Sequence, residues 1–173
     1  MCLGTLQDKT MKRDRRDKTI SLEELLALRQ SWSVEGLVVV WTNGCFDLLH
    51  VGHIDLLDSA SNFGDRLIVG LNSDESVKSL KGPGRPIVSA EERAALLSAL
   101  EVVDFVLVYN DLLPIQSIES LRPDVCCKGA DYSPPYGQPC PEANVVASYG
   151  GRMQYIELTA HWSTTAILAR LPK

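Results

Sequence analysis

The chain has 173 residues, of which 45% are hydrophobic and 23% are charged, and its formal net charge is -5 at pH 7. This length and composition predict a single folded domain with a sizeable core. No apolar run approaches the roughly 18 residues of a transmembrane helix, so we expect no membrane span. The five cysteines follow no framework spacing, which favours a reducing, cytoplasmic location over a disulfide scaffold.

The charge is unevenly distributed along the chain. Six basic and three acidic residues lie between Asp8 and Lys18, so that the remainder carries 11 basic and 19 acidic residues. Nucleic-acid binding depends on lysine and arginine to neutralise phosphates, so this acidic remainder argues against a nucleic-acid partner. We predict a disordered basic leader over residues 1–18 and one folded domain over residues 19–173.

The first predicted helix begins after Ser21, which has the spacing of a capping box with Glu24, and it ends near Gly36. The continuous apolar run at residues 37–41 then predicts a strand covered on both faces. The Thr-Asn-Gly sequence that follows has the chemistry of a turn, and a helix begins near residue 50. Such a strand–turn–helix unit directs free backbone N–H groups at one point, which suits a phosphate group.

Two histidines stand at the entrance of this helix, in the tetrad His50-Val51-Gly52-His53. Their spacing places both imidazoles on one side of the helix. Gly52 costs about 1 kcal/mol relative to alanine in a helix, and close approach of a ligand to bare backbone can offset that cost. Three interpretations are open: a structural pair, a zinc pair with Cys45, and donors to a phosphate in a transition state. The zinc hypothesis lacks further ligands, because the sequence contains no Cys-x-x-Cys motif or second histidine cluster.

The sequence of residues 42–53, TNGCFDLLHVGH, resembles the signature of the cytidylyltransferase-like nucleotidyltransferases. More narrowly, it is similar to the adenylyltransferases that activate heptose 1-phosphate, over about residues 20–171. The resemblance implies that His50 and His53 are catalytic and contact the α- and β-phosphates of a nucleoside triphosphate. It also implies that Asp47 holds the sugar phosphate. Nucleotide or phosphate contacts are implied for Thr42, Asn43, Gly44, Phe46 and Gly52.

A second apolar run at residues 66–71 predicts a strand, followed by a polar cap at residues 72–74 and a helical segment at residues 75–80. The next stretch, KGPGRP, is too rich in glycine and proline for a helix. It is either a plain surface loop or a mobile loop that carries cations to a polyphosphate. The resemblance covers both the NSD and the KGxxRP patterns. It implies that Lys81 is catalytic, and that nucleotide or phosphate is bound by Asn72, Asp74 and Arg85.

Ser89 has the spacing of a second capping box, with Glu92, and opens a predicted helix. A strand at residues 104–108, a short helix at 114–121 and a strand at 124–127 follow. The last strand leads into the sequence KGADY, which matches a KGxDY pattern of the same family. The resemblance implies nucleotide or phosphate contacts for Lys128, Gly129 and Asp131, and a sugar-phosphate contact for Lys128. The alternative is a strand-end turn held by a structural salt bridge.

The last predicted elements are a helix at residues 142–149, a strand at 153–158 and a helix that follows a run of three hydroxyl residues. Hydroxyls before a helix are usually caps. The resemblance implies that the three, Ser163, Thr164 and Thr165, bind phosphate, and Glu142 is a further candidate for the sugar phosphate. His161-Trp162 departs from the family pattern, in which a glycine and a small residue usually occupy these positions.

Five apolar strands that alternate with helices predict an α/β fold: a single Rossmann-like, doubly wound parallel sheet of five strands with helices on both faces. The candidate segments follow strands, so we expect them at the carboxyl edge, where such sheets bind ligands. The resemblance implies transfer of an adenylyl group from ATP to a sugar 1-phosphate, D-glycero-D-manno-heptose 1-phosphate, by a homodimer. Mg²⁺ would be bound with ATP rather than by protein side chains alone. A cytidylyltransferase for glycerol 3-phosphate or a similar alcohol phosphate, and a non-catalytic nucleotide-binding protein, are the alternatives.

Overall fold

The computed structural model describes residue 14, residues 17–157 and residues 164–168, without the side chains of residues 165 and 166. A parallel sheet lies at its centre. The strands of the sheet are β1 (Val39–Gly44), β2 (Arg66–Asn72), β3 (Phe105–Tyr109), β4 (Val125–Gly129) and β5 (Arg152–Ile156). They lie in the order β3-β2-β1-β4-β5, and every neighbouring pair is parallel.

Helices cover both faces of the sheet. Leu57 and Leu97 pack on one face, whereas Leu25, Ile118 and Val146 pack on the other. The doubly wound parallel fold predicted from the sequence is therefore confirmed. In the described part of the chain, no helix combines the length and apolar character that a membrane span requires. The helices are α1 (Leu22–Glu35), α2 (Val51–Ser61), α3 (Asp74–Lys81), α4 (Ala90–Ser98), α5 (Ile115–Leu121), α6 (Glu142–Ser148) and α7 (Thr164–Leu168), and a 3-10 turn spans Ala130–Tyr132.

Strand β1 extends further than the sequence predicted. Its pairing with β2 continues to Gly44, opposite Leu71. The Thr-Asn-Gly sequence is therefore the end of the strand, and its interpretation as a turn was wrong. Alternate residues of β1 face opposite sides, since Val40 belongs to one core cluster and Trp41 to the other. The extension carries the polar end of β1 to the edge of the sheet where β2 and β4 also end.

The helix ends follow the capping signals in the sequence. Ser21 Oγ accepts a hydrogen bond from the Glu24 amide at 3.2 Å, and the Ser21 amide donates to Glu24 Oε2 at 2.8 Å. An equivalent capping box opens α4. Gly36 ends α1 with a φ of 71°, a left-handed conformation that glycine adopts without strain. Helix α3 includes Lys81 as its last residue, so this lysine is fixed to a helix end and not to the loop beyond it.

A short segment before α1 covers the outer edge of β3. Thr19 pairs in parallel with Val106, whose amide donates to the Lys18 carbonyl at 2.8 Å. Lys18 Nζ donates to the carbonyl groups of Leu100 and Val103, at 2.9 and 2.7 Å, beyond the end of α4. Lys18 therefore contacts the folded domain, although the sequence analysis assigned it to the leader.

Candidate active site

A cavity of about 330 Å³ opens at the carboxyl edge of the sheet, between the ends of β1 and β4 and the beginning of α2. It gathers segments that are distant in sequence. Four predicted ligands, Asn72, Asp74, Arg85 and Glu142, do not line it. Ser163, with His161-Trp162, lies outside the described residues, and so does the side chain of Thr165. The lining comprises Thr42, Asn43, Gly44, Cys45, Phe46, Asp47, His50, Gly52, His53, Leu56, Lys81, Lys128, Gly129, Asp131, Tyr132 and Thr164.

The two histidines form a stacked pair at the beginning of α2. Their ring centroids are 3.7 Å apart with an interplanar angle of 18°. The His50 amide donates to His53 Nδ1 at 3.4 Å. Because Nδ1 accepts, the hydrogen of the neutral His53 ring belongs on Nε2, as assigned from this hydrogen bond. The His53 ring can therefore donate a hydrogen bond from Nε2.

Both imidazoles are held in the neutral form. Burial lowers the pKa of His53 to about 4, and the charges of His50 and Lys81 act in the same direction. Burial also lowers the pKa of His50. His50 Nδ1 is buried and has no hydrogen-bond partner among the described residues. At neutral pH the pair therefore offers hydrogen-bond donors without adding charge, and Lys81 supplies a nearby cation.

The turn between β1 and α2 is shaped by Phe46. This residue has a φ of 44°, in the left-handed region that non-glycine residues seldom occupy. Its ring packs against His53, with centroids 5.0 Å apart. A Cβ atom at Gly44 would lie 3.2 Å from Phe46 Cε2, which is tight for a carbon contact. The lack of a side chain at Gly44 therefore leaves room for the Phe46 ring in its position against His53.

Asp47 anchors the strap, which we define as residues 82–88 between α3 and α4. The Asp47 side chain is buried, and its Oδ2 atom lies 2.5 Å from Arg85 Nη1. Oδ1 accepts from the amides of Ile87 and Val88, at 2.7 and 3.3 Å. Burial alone would raise the pKa of Asp47, but these hydrogen bonds outweigh it and lower the pKa. Both oxygens are thus engaged within the chain, and contacts of Asp47 and Arg85 with ligands stay predictions.

Lys128 lies near the end of β4 and also lines the cavity. Its Nζ atom lies 2.7 Å from Glu142 Oε1, and the Tyr132 ring centroid is 5.1 Å from Nζ. Glu142 Oε1 makes no aligned hydrogen bond despite this distance, so the contact is an ion pair. The salt-bridge alternative raised for this segment is therefore present. Lys128 lines the cavity despite this ion pair, whereas Glu142 is buried and does not line it.

Asn72 and Asp74 face the protein interior and a neighbouring helix. The Asn72 amide group donates to Ser76 Oγ at 2.9 Å and accepts from the Tyr109 hydroxyl at 3.0 Å. Asp74 Oδ1 lies 2.6 Å from Arg93 Nη2. These contacts hold the end of β2 and the beginning of α3, and the predicted nucleotide contacts of Asn72 and Asp74 stay untested.

Sequence reasoning missed three residues of the cavity lining: Cys45, Leu56 and Tyr132. Burial raises the pKa of the Cys45 thiol, which is therefore protonated at neutral pH. Leu56 stands at an ordinary helical core position, and nothing in the sequence distinguishes it. The sequence did contain a signal for Tyr132, because this residue is the last one of the KGxDY match.

Thr42 Oγ1 is buried at the cavity without a hydrogen-bond partner among the described residues, so a bound ligand could satisfy it.

The described residues contain no group of three or more histidine, cysteine or carboxylate side chains that could hold a metal ion. The two carboxylates of the cavity lining are already engaged, Asp47 by the strap and Asp131 by Gln138 Nε2 at 2.9 Å. A Mg²⁺ ion carried by a triphosphate needs few protein ligands, because it keeps several waters. The donor set suits a metal that arrives with its ligand better than a resident ion.

A Rossmann-like parallel sheet with hydrogen-bond donors and lysines at its carboxyl edge is typical of nucleotide-binding proteins. The cytidylyltransferase-like family model matches residues 41–169. The chain belongs to this family, which confirms the resemblance carried by residues 42–53, and it is a nucleotidyltransferase by class.

Curated relatives include the bifunctional protein HldE of Syntrophotalea carbinolica, 47% identical over 90% of this chain. The bifunctional protein HldE of Methylobacillus flagellatus is 45% identical, also over 90% of this chain. In both cases the match covers 31% of the relative, so the chain spans about a third of the length of these proteins.

Two solved structures have similar folds. The lipopolysaccharide core biosynthesis protein from Thermoplasma volcanium superposes with a TM-score of 0.57 and 27% identity, over 72% of this chain and 98% of that one. A pantoate-beta-alanine ligase from Francisella tularensis has a TM-score of 0.61 and 13% identity, over 89% of this chain and 73% of that one. The second similarity concerns the fold alone.

Proposed function

We propose that this chain transfers the adenylyl group of ATP to a sugar 1-phosphate, with D-glycero-D-manno-heptose 1-phosphate as the acceptor. The observation that carries the proposal is the neutral, stacked histidine pair in one cavity with two lysines, Lys81 and Lys128. The structural relative from Thermoplasma volcanium is a lipopolysaccharide core biosynthesis protein, which supports a saccharide product. The HldE relatives support the same choice of acceptor through the resemblance to heptose 1-phosphate adenylyltransferases.

The proposed chemistry is an in-line displacement at phosphorus. A phosphate oxygen of the sugar 1-phosphate attacks the α-phosphorus of ATP, a new P–O bond forms, and the bond to the β-phosphate oxygen breaks to release pyrophosphate. The attacking phosphate is already anionic, so no general base is required. Catalysis then consists of positioning and of stabilising charge on the phosphate oxygens.

The residues of the cavity fit these tasks. His53 Nε2–H and the His50 ring donate to the oxygens of the α- and β-phosphates. Lys81 compensates the charge that moves to the leaving pyrophosphate, and Lys128 binds the acceptor. The backbone from Thr42 to Gly44 shapes the nucleotide entry. A Mg²⁺ ion bound with ATP would supply further charge compensation.

The test is a panel of nucleoside triphosphates against acceptors, with pyrophosphate release as the readout. The panel pairs ATP and CTP with heptose 1-phosphate, a hexose 1-phosphate and glycerol 3-phosphate. We expect ATP to exceed CTP by at least about 10-fold, equivalent to about 1.4 kcal/mol, because a site that hydrogen-bonds one base leaves polar groups unpaired with another. Activity with CTP and glycerol 3-phosphate alone would assign the alternative alcohol-phosphate chemistry. Nucleotide binding without any pyrophosphate release would assign a non-catalytic protein.

The resemblance also suggests a homodimer, and we propose that state for the active protein. Light scattering over a range of protein concentrations measures it directly. A mass of one chain at concentrations where the enzyme is active would reject the dimer without affecting the proposed chemistry.

A further inference from the structure

Arg93 is a buried cation that lies outside the cavity lining. It belongs to α4, and only 1% of its surface is exposed. Its Nε atom donates to the Val88 carbonyl at 2.9 Å. Its Nη1 atom donates to the carbonyl groups of Cys45 and Asn72, at 2.6 and 2.8 Å. With the Asp74 contact, four of the five guanidinium N–H donors have partners, as a buried arginine requires.

The partners of Arg93 belong to the segments that surround the cavity. Cys45 lies in the turn that leads from β1 to the histidine pair. Asn72 ends β2, and Asp74 begins α3. Val88 ends the strap, and its carbonyl group accepts the bond from Nε. One guanidinium group therefore joins the turn, a strand end, a helix beginning and the strap.

Asp47 completes this arrangement from the other side of the strap. The Val88 amide donates to Asp47 Oδ1 at 3.3 Å, while the Val88 carbonyl accepts from Arg93. The same peptide segment is thus held by a buried anion and a buried cation. Charge-assisted hydrogen bonds of this kind are stronger than neutral ones and fix geometry more tightly.

The arrangement also fixes Lys81. Helix α3 begins at Asp74 and ends at Lys81, and its eight residues span about 12 Å at 1.5 Å per residue. Arg93 holds the first residue of this helix and also the far end of the strap that follows it. Lys81 therefore projects into the cavity from a segment that is tied at both ends to the same side chain.

We propose that Arg93 is a positioning residue for the transfer reaction, which holds Lys81 at the phosphate site through α3 and the strap without touching substrate. The inference rests on the proposed function for its kinetic part only. Its structural part, the ordering of the strap, is measurable without any turnover.

The central variant is Arg93→Lys, which keeps the charge but cannot present the planar fork of donors. Misplacement of a catalytic group by about 1 Å can reduce rates about 100-fold. We therefore expect turnover to fall about 10- to 100-fold, and hydrogen exchange at the Ile87 and Val88 amides to accelerate while β1 stays protected. In a Lys81→Ala background, Arg93→Lys should reduce turnover by less than about 2-fold further, because its effect passes through Lys81.

The chain offers a matched control at the opposite edge of the sheet. Arg29 also bonds two carbonyl groups, those of Leu121 and Arg122, and pairs with Asp124 at 3.1 Å. Arg29→Lys removes the same kind of contacts far from the cavity. We expect it to lower the melting temperature to an extent similar to Arg93→Lys, with no change in turnover or in exchange at Ile87 and Val88.

Two results would overturn the proposal: unchanged exchange at Ile87 and Val88 in Arg93→Lys, or effects of Arg93→Lys and Lys81→Ala that multiply in the double variant. If Arg93→Lys does not fold, Asp74→Ala removes one partner of Arg93 at a half-exposed position and should accelerate exchange in α3 and the strap. Failure of the proposed function gives a different result: the wild-type protein then releases no pyrophosphate with any pair of nucleoside triphosphate and acceptor. In that case the exchange data and the affinity for a non-hydrolysable ATP analogue decide the role of Arg93.

Discussion

The neutral state of His53 can be measured without knowledge of the substrate. Burial lowers its pKa to about 4, and the charges of His50 and Lys81 contribute. We expect its ring protons to titrate in nuclear magnetic resonance spectra with a midpoint near 4 in the free protein. A bound triphosphate analogue should raise that midpoint, because nearby negative charge favours the protonated ring. A midpoint near 6.5 in the free protein would mean that the ring is solvated, and the His53→Ala spectrum provides the assignment.

Removal of His53 should affect the reaction far more than the fold. His53→Ala deletes one donor to the charge that develops on the phosphate oxygens, and loss of such a donor typically reduces turnover about 10²- to 10³-fold. The half-buried ring contributes packing against Phe46, so we expect only a modest change in melting temperature. Steady-state pyrophosphate release measures the effect. Near-normal turnover at unchanged stability would favour the structural-pair interpretation of the histidines.

Strand β2 contains a glycine because the neighbouring strand places a tryptophan over it. A Cβ atom at Gly70 would overlap Trp41 Cζ2 and lie 3.1 Å from Asn43 Cβ. Gly70→Ala should therefore lower the free energy of unfolding by about 1–3 kcal/mol, the usual cost of overpacking. Urea denaturation measures this change.

The Trp41→Phe background tests the cause of that loss. Phenylalanine lacks the Cζ2 and Cη2 atoms of the indole that approach position 70. We expect Gly70→Ala to cost less than half as much in Trp41→Phe as in the wild type. An equal cost in both backgrounds would place the strain elsewhere, for example at Asn43 and the cavity edge.

The elements that shape the cavity differ in how far the sequence predicted them. The histidine helix was located correctly, because it follows an apolar strand and matches a local pattern. The KGxDY match was placed after its strand, whereas Lys128 and Gly129 are the last two residues of β4. The end of β1 was misjudged, because threonine, asparagine and glycine have turn propensities that pairing with β2 overrides. Arg93 was missed altogether. A single arginine in an amphipathic helix gives no sign of burial, and its four acceptors come from segments that meet only in the folded chain.

At the scale of the molecule, the parallel sheet could be predicted because its strands are continuous apolar runs separated by capping signals. Ion pairs between residues that are distant in the sequence could not be predicted. The pair formed by Asp47 and Arg85 joins residues 38 positions apart, and each residue alone matched a ligand pattern. Geometry, and not residue type, decides whether such a charge faces a substrate or a partner in the chain.

Stability should decrease as pH falls from about 6.5 to 4. An unfolded histidine has a pKa near 6.5, whereas folded His53 has a pKa of about 4. Between these values the unfolded chain binds more protons, so stability rises with pH, by at most about 1.4 kcal/mol per pH unit for this residue. Urea unfolding of the wild type and of His53→Ala over this range isolates the contribution. Parallel pH dependences of the two proteins would show that His53 is not protected from protonation.

The segment at residues 18–20 should protect the sheet edge. It bonds to β3 through Lys18 and Thr19, and exposed strand edges promote association between chains. Removal of residues 1–20 should lower the melting temperature and increase light scattering more than removal of residues 1–16 does. Equal behaviour of the two truncated proteins would show that the β3 edge does not need this cover.

The strand order β3-β2-β1-β4-β5 has a consequence for protein synthesis. The first three strands form a contiguous half of the sheet from consecutive parts of the chain, with β1 at its open side. The residues of this half leave the ribosome before those of β4 and β5, because synthesis proceeds from the N-terminus. The half already contains the histidine pair, Lys81 and Arg93, but the edge of β1 stays exposed until β4 pairs with it. Lys128 and Gly129 arrive with that fourth strand, so the pairing that covers the exposed edge also adds these two residues to the cavity lining.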